Sequence, residues 1–207
     1  MRIQPDLTRE RRLWRAGLAT VAGLDEAGRG ALAGPVAVGV VILPKDPGRS
    51  ISVRLRGVRD SKQMTPHQRE WAAERIKQAA LAWGVGFASA DEIDAHGIVQ
   101  AARLAAMRSL ESLGIAPQYL LTDFRLELPE LEISQTAIVK GDACCLSIAA
   151  ASVLAKTARD ALMRDMDAQI PGYGLSRHKG YGTRAHLLAL KRMGRSPVHR
   201  RSFSVHT

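Results

Sequence analysis

The stretch Thr20-Val21-Ala22-Gly23-Leu24-Asp25-Glu26-Ala27-Gly28-Arg29-Gly30-Ala31-Leu32-Ala33-Gly34-Pro35-Val36-Ala37-Val38-Gly39-Val40-Val41-Ile42 holds two apolar runs on either side of a glycine-rich connection. Thr20 to Leu24 reads as a buried strand that ends at Asp25. Val36 to Ile42 reads as a second, β-branched strand closed by Pro44. The residues between them are too few for a crossover helix, so the two strands are expected to be antiparallel.

Outward from this pair the pattern alternates. Thr65-Pro66-His67-Gln68 has the form of a capping box with proline at the first helical position. It predicts a helix through Trp71, Ile76 and Ala80, followed by a third strand over Trp83 to Ala88. Ser89-Ala90-Asp91-Glu92 is a second capping box, predicting a helix that stops at Gly114. Tyr119 to Thr122 reads as a short buried strand delivering Asp123, and Ile133 to Val139 as a fifth strand. From Asp142 a long helix is expected towards Met166, with Leu146, Ala149, Val153, Thr157 and Ala161 on a helical period; Pro171-Gly172 breaks it. Three hairpinned strands followed by helix–strand alternation predict an α/β domain with a mixed five-stranded sheet.

Composition narrows the partner. The chain has 207 residues, with 30 Lys and Arg against 20 Asp and Glu, a net charge of +10. Beyond Asp167 stand Arg177, Lys179, Arg184, Lys191, Arg192, Arg195, Arg200 and Arg201 with no acid among them, so the excess is a patch. A basic patch points to a polyanion, first of all a nucleic acid. Aromatic residues make up only 4%, fewer than a reader that stacks successive single-stranded bases would use. Duplex held by its backbone is the better fit. The longest apolar run, Ala31 to Leu43, is too short to span a bilayer, and charges interrupt the N-terminal stretch; a cytoplasmic protein is expected. The adjacent Cys144 and Cys145 suit neither a structural disulfide nor, alone, a metal, and read as small apolar residues on a helix.

The chemistry-bearing residues are acids at strand ends. Asp25 and Glu26 fall where the first strand gives out, Asp123 at the end of the fourth, and Asp142 at the start of the long helix. Neighbouring strand residues point to opposite faces, so Asp25 and Glu26 are expected to share a site only where the strand breaks. Carboxylates without histidine or cysteine suit a hard ion such as Mg²⁺ or Mn²⁺, and two such ions about 4 Å apart promote phosphodiester cleavage. Each acid also has a plainer reading: Asp142 as a helix N-cap, Asp123 as a turn residue, Glu26 as a solvated loop acid. Gly28-Arg29-Gly30-Ala31-Leu32-Ala33 matches the dinucleotide fingerprint G-x-G-x-x-A, which requires a helix to follow; a strand-like run follows instead.

Gly23-Leu24-Asp25-Glu26-Ala27-Gly28-Arg29-Gly30 with Gly34-Pro35-Val36 resembles the signature of ribonuclease HII. The resemblance continues through Asp60-Ser61-Lys62, Glu92-Ile93-Asp94, Val139-Lys140-Gly141-Asp142, Ser147 to Ser152, Ala155-Lys156, Arg159-Asp160, His178 to Thr183 and Ser196 to Phe203. It implies an RNase H-like catalytic domain over residues 1–167, with 168–207 as a small helical, basic substrate-binding extension packed on it, and an endonuclease that cleaves the RNA strand of RNA/DNA hybrids. It also implies nicking 5′ of ribonucleotides embedded in duplex DNA, leaving 3′-hydroxyl and 5′-phosphate ends. By the same resemblance Asp25, Glu26, Asp123 and Asp142 hold two Mn²⁺ or Mg²⁺ ions, and Gly28, Arg29, Gly30 and Tyr181 recognise the 2′-hydroxyl. Lys62, Lys156 and Arg159 are further expected phosphate contacts, and the protein is expected to act as a monomer. Taken alone, Tyr181 also reads as a packed surface aromatic, and Lys156 and Arg159 as a solvated cationic face. Two departures stand out: Phe124 where many relatives carry glycine, and Gly97 where many carry asparagine.

Overall fold

A computed structural model describes residues 4–46 and 50–204. Its sheet is built from β1 (Val21–Ala27), β2 (Val36–Ile42), β3 (Ala82–Ala88), β4 (Tyr119–Asp123) and β5 (Gln135–Ile138), in the spatial order β3-β2-β1-β4-β5. β2 pairs antiparallel with both β1 and β3, whereas β4 is parallel to β1 and β5 to β4. This is the mixed α/β sheet expected from the alternation of elements.

Two long helices cover its faces. α4 (Ala90–Glu111) lies against β3 and β2, and α6 (Leu146–Gln169) against β1 and β2. Both approach closely because the facing residues are small. A Cβ on Gly39 would come within 2.3 Å of the Ala151 carbonyl of α6, and one on Gly86 within 2.1 Å of the Ala105 carbonyl of α4. The helices answer with Ala149, Ala150 and Ala151, and with Ala101, Ala102, Ala105 and Ala106, all buried. α1 (Thr8–Arg15), α2 (Ser50–Arg54) and α3 (Pro66–Ala79) complete the α6 side. A separate apolar cluster, with Met163 and Ala33 at its base, holds the C-terminal helices α7 (Leu175–His178) and α8 (Arg184–Met193).

Both capping boxes form, at Thr65 with Gln68 and at Ser89 with Glu92. Elsewhere three expectations need correcting. First, β1 does not stop at Asp25: Asp25 and Glu26 remain paired with Gly39 and Val38, so the strand continues to Ala27. Second, the helix expected to run unbroken to Gly114 ends at Glu111 and is interrupted at Gly97, whose φ of +77° is the left-handed conformation glycine tolerates best.

Third, Asp142 does not open the long helix. It lies in a single turn, α5 (Gly141–Cys144), and Cys145 is extended (φ −123°, ψ 122°) before α6 begins at Leu146. The interruption comes from α1, far away in sequence. Buried Glu10 accepts the Ser147 N–H at 2.8 Å and faces the Cys145 thiol at 3.1 Å, while the Asp6 carbonyl accepts the Leu146 N–H at 2.8 Å. A carboxylate at the first turn of a helix satisfies amides that otherwise lack partners. Cys145 is therefore a buried thiol at a helix junction, rather than a residue within a continuous helix.

Candidate active site

The parallel register between β1 and β4 places the first two acids. Leu24 pairs with Thr122, so the next residues along, Asp25 and Asp123, stand at the same level on neighbouring strands. Glu26 follows Asp25 on the strand, and its longer side chain returns to the same place. One carboxylate oxygen from each of Asp25, Glu26 and Asp123 lies within 4.8 Å of the other two. Adjacent strand residues thus share a site without a strand break.

Burial and mutual repulsion define the electrostatics of this trio. Asp25 is 6% exposed. Burial, and next the charges of Glu26, Asp123 and Asp142, push its carboxyl well above the usual range; a hydrogen bond from Ser152 acts the other way. Burial also raises Glu26, against the opposing pull of Arg29 and with a further push from Asp123. The Glu26 Oε2 atom is buried without a hydrogen-bond partner. Hard oxygen donors, one of them unpartnered, held close against their own repulsion are the donor set that suits Mg²⁺ or Mn²⁺.

Asp142 stands at the edge of the trio. It is half-buried on α5, and the Gly141 N–H beside it donates to Asp123 Oδ1 at 2.9 Å. Burial, then the charges of Asp60 and Asp123, raise its carboxyl. It does not act as an N-cap, since Lys140 in a left-handed conformation occupies that position. Lys62 projects from a short 3-10 turn, Ser61–Gln63. Burial would lower its ammonium, but the charges of Asp25, Asp142, Asp60 and Asp123 outweigh burial and raise it.

The glycine loop and Tyr181 form a second group. Gly30 is exposed, and a Cβ there would meet open space, while Gly28 is buried. The Arg29 guanidinium lies 3.5 Å from Glu26 Oε1 and donates to the Arg125 carbonyl at 3.3 Å, tying the loop to the carboxylates. The loop leads into β2 and no helix starts at its glycines, so the dinucleotide fingerprint lacks its required context. Tyr181 is 36% exposed, and its ring is flanked by Lys156 Nζ at 5.7 Å and Arg159 Cζ at 5.6 Å.

Arg159 requires correction as a phosphate contact. Its side chain is fully buried and donates to the carbonyls of Pro35, Ala33 and Lys179, so no surface remains for a ligand. Lys156 pairs with Asp160 at 2.6 Å, and Asp160 also pairs with Arg69 at 3.1 Å. Arg200, one of the cations counted in the basic patch, is 1% exposed and internal.

Two histidines that sequence reading passed over support Tyr181 from below. Ser196 donates its N–H to His199 Nδ1 at 3.0 Å, which leaves the proton on His199 Nε2 to donate to His186 Nε2 at 3.0 Å. The His186 proton then sits on Nδ1 and donates to the Tyr181 carbonyl at 3.1 Å. Both rings are buried and neutral: burial, and then the neighbouring His186, lower His199 to about 4, and burial and His178 lower His186. No periodicity marks these residues. His199 falls within the Ser196–Phe203 block of the resemblance, and both lie in a strongly basic segment.

A mixed sheet in this order, with carboxylates meeting at the ends of its central strands, defines an α/β protein of the RNase H-like class. Residues 22–206 match the family model described as Ribonuclease HII. A ribonuclease HII of Synechococcus sp. (strain JA-3-3Ab) is 54% identical over 204 residues, covering 98% of this chain and 89% of the relative. One of Dehalococcoides mccartyi (strain ATCC BAA-2266 / KCTC 15142 / 195) is 46% identical over 207 residues, covering 98% and 94%. The crystal structure of ribonuclease H2 from Pyrococcus horikoshii OT3 superposes with a TM-score of 0.72 at 28% identity, over 89% of this chain and 93% of that one. The chain belongs to the ribonuclease HII family and is a nuclease of the RNase H type. Among the described residues no helix is long and apolar enough to cross a membrane.

Proposed function

We propose that the protein is an endoribonuclease that hydrolyses the RNA strand of RNA/DNA hybrids and nicks duplex DNA on the 5′ side of an embedded ribonucleotide. The products carry 3′-hydroxyl and 5′-phosphate ends. The observation that carries this reading is the close carboxylate trio of buried Asp25 with partly buried Glu26 and Asp123 in a protein of net charge +10. A carboxylate nest repels a phosphodiester unless cations bridge the two. Asp25, Glu26, Asp123 and Asp142 would hold two Mg²⁺ or Mn²⁺ ions. Such ions supply water activation and charge stabilisation in phosphodiester hydrolysis.

The chain's own groups do the rest. Lys62, exposed and drawn towards the acids, is the cation best placed to take a phosphate oxygen. Lys156, neutralised by Asp160, supports the Tyr181 ring instead. The Gly28–Gly30 backbone and Tyr181 read the ribose, since the 2′-hydroxyl is the atom that separates RNA from DNA. Residues 168–207 serve as a substrate-binding extension on the catalytic body 1–167: Arg177, Arg184, Lys191, Arg192, Arg195 and Arg201 are exposed there for duplex phosphates. The chain acts as a monomer, and two free thiols suit a reducing, cytoplasmic setting.

The test is a DNA duplex carrying one ribonucleotide, incubated with Mg²⁺ or Mn²⁺ and mapped for a 5′ nick. Wild type is expected to nick and Asp25→Asn to bind without nicking. An Asp25→Asn variant cutting at the wild-type rate would refute the metal assignment, and binding without cutting by wild type would make the protein a hybrid-binding module. Tyr181→Ala should slow cutting at the single ribonucleotide more than it weakens binding to all-DNA duplex. Equal losses would reduce Tyr181 to packing.

A further inference from the structure

The loop from Gly28 to Pro35 turns its carbonyl oxygens inward onto two buried guanidinium groups. Arg200 donates through Nη2 to Gly28 at 2.7 Å, through Nη1 to Arg29 at 2.8 Å and through Nε to Gly34 at 3.0 Å. Arg159 donates through Nε to Pro35 at 2.8 Å and through Nη2 to Ala33 at 3.1 Å. Its third donor, Nη1, holds the Lys179 carbonyl at 2.9 Å, two residues before Tyr181. The backbone of the C-terminal segment adds two bonds, Arg200 N–H to the Leu32 carbonyl at 2.9 Å and Gly34 N–H to the Val198 carbonyl at 2.8 Å.

Among the described residues neither guanidinium forms an ion pair; backbone carbonyls take their direct hydrogen bonds, with the Tyr181 ring beside Arg159 and the Phe203 ring beside Arg200. Burial and the neighbouring Arg159 charge lower Arg200 to about 9, which leaves it protonated at neutral pH. Gly28 is part of the same construction, because a Cβ there would lie 1.9 Å from Arg159 Nε.

Planarity of the peptide unit fixes what this does to the opposite side of the loop. In a trans peptide the N–H points away from the C=O of the same unit. An inward Gly28 carbonyl therefore turns the Arg29 N–H outward, and an inward Arg29 carbonyl turns out the Gly30 N–H. Among the described residues neither amide donates to a protein acceptor, and Gly30 is exposed, with open space where a Cβ would stand. A guanidinium bonded to the oxygen of a peptide unit also polarises that unit and strengthens its N–H as a donor.

We propose that Arg200, seconded by Arg159, is the positioning residue that presents the Arg29 and Gly30 amides to the ribose 2′-hydroxyl, so that ribose selectivity is set from the C-terminal segment. The proposal rests on the reading that this loop recognises the ribose.

The experiment compares two DNA duplexes that differ only in one 2′-hydroxyl, with Ca²⁺ in place of Mg²⁺ so that affinities can be measured. Arg200→Lys keeps the charge but replaces a fixed fork of donors by a single ammonium. Wild type should prefer the ribonucleotide duplex, and Arg200→Lys should lower that preference by about tenfold, the size expected from two neutral hydrogen bonds. In wild type the amide resonances of Arg29 and Gly30 should move on adding the ribonucleotide duplex and stay in place with the all-DNA one. A wild-type protein with no preference would overturn the ribose reading itself. A preference retained in Arg200→Lys would overturn the positioning role alone. Should Arg200→Lys fail to fold, the wild-type amides decide: resonances that respond alike to both duplexes refute the proposal.

Discussion

Asp25→Asn should make the protein more stable when no divalent ion is present and remove its response to one. The variant keeps an oxygen to accept the Glu26 N–H, a bond of 2.8 Å in the wild type, so the change is mainly one of charge. With carboxylate oxygens within 4.8 Å of one another, one pair of unit charges repels by about 3.5 kcal/mol at an effective dielectric constant near 20. Lys62 and Arg29 offset part of this, and uptake of a proton by Asp25 limits it further. The net gain expected for Asp25→Asn in chelator is therefore about 1–3 kcal/mol, a rise in melting temperature of roughly 2–12 °C for a chain of this size. Addition of Mg²⁺ at a hundred times its dissociation constant should stabilise the wild type by about 2.7 kcal/mol through linkage. It should leave the variant nearly unchanged, so the order of stabilities converges or reverses. Thermal and urea unfolding with chelator and with Mg²⁺ measure all four values. A variant less stable than wild type in chelator, or one that gains as much from Mg²⁺, would refute the account of the trio as a strained, ion-binding cluster.

Three further substitutions probe the support of Tyr181 and of the glycine loop. His199 is 2% exposed and lowered to about 4, so the unfolded chain binds a proton between pH 6.5 and 4 that the native state refuses. This group's contribution is intact above pH 6.5 and falls by about 3 kcal/mol as the pH drops to 4. His199→Gln, which cannot take up that proton, should lack this part of the acid decline in urea unfolding, and parallel curves would show that His199 titrates normally. Gly28→Ala meets both a φ of +89° and a Cβ 1.9 Å from Arg159 Nε, and should cost about 2–5 kcal/mol. Gly30→Ala, with open space at its Cβ, should cost under about 1 kcal/mol; equal losses in the two variants would undo the packing explanation.

The carboxylate cluster and the glycine loop were legible to different degrees, and the difference has a physical origin. Asp25 and Asp123 could be placed because each ends an apolar run that reads locally as a buried strand. Both capping boxes announced their helices for the same reason: donor and acceptor lie three residues apart. The break between α5 and α6 depends on Glu10, 137 positions from Ser147, and no pattern near Asp142 indicates it. Arg159 looked like a surface cation because a charge is buried only when distant carbonyls converge on it, and its partners lie up to 126 positions away. Arg200 reaches Gly28 across 172 positions. The carboxylate cluster is thus assembled on paired neighbouring strands of the sheet. The Gly28–Pro35 loop, proposed to read the sugar, is held by bonds from the C-terminal segment, so on that reading changes in residues 196–203 should alter selectivity before they alter the carboxylate site.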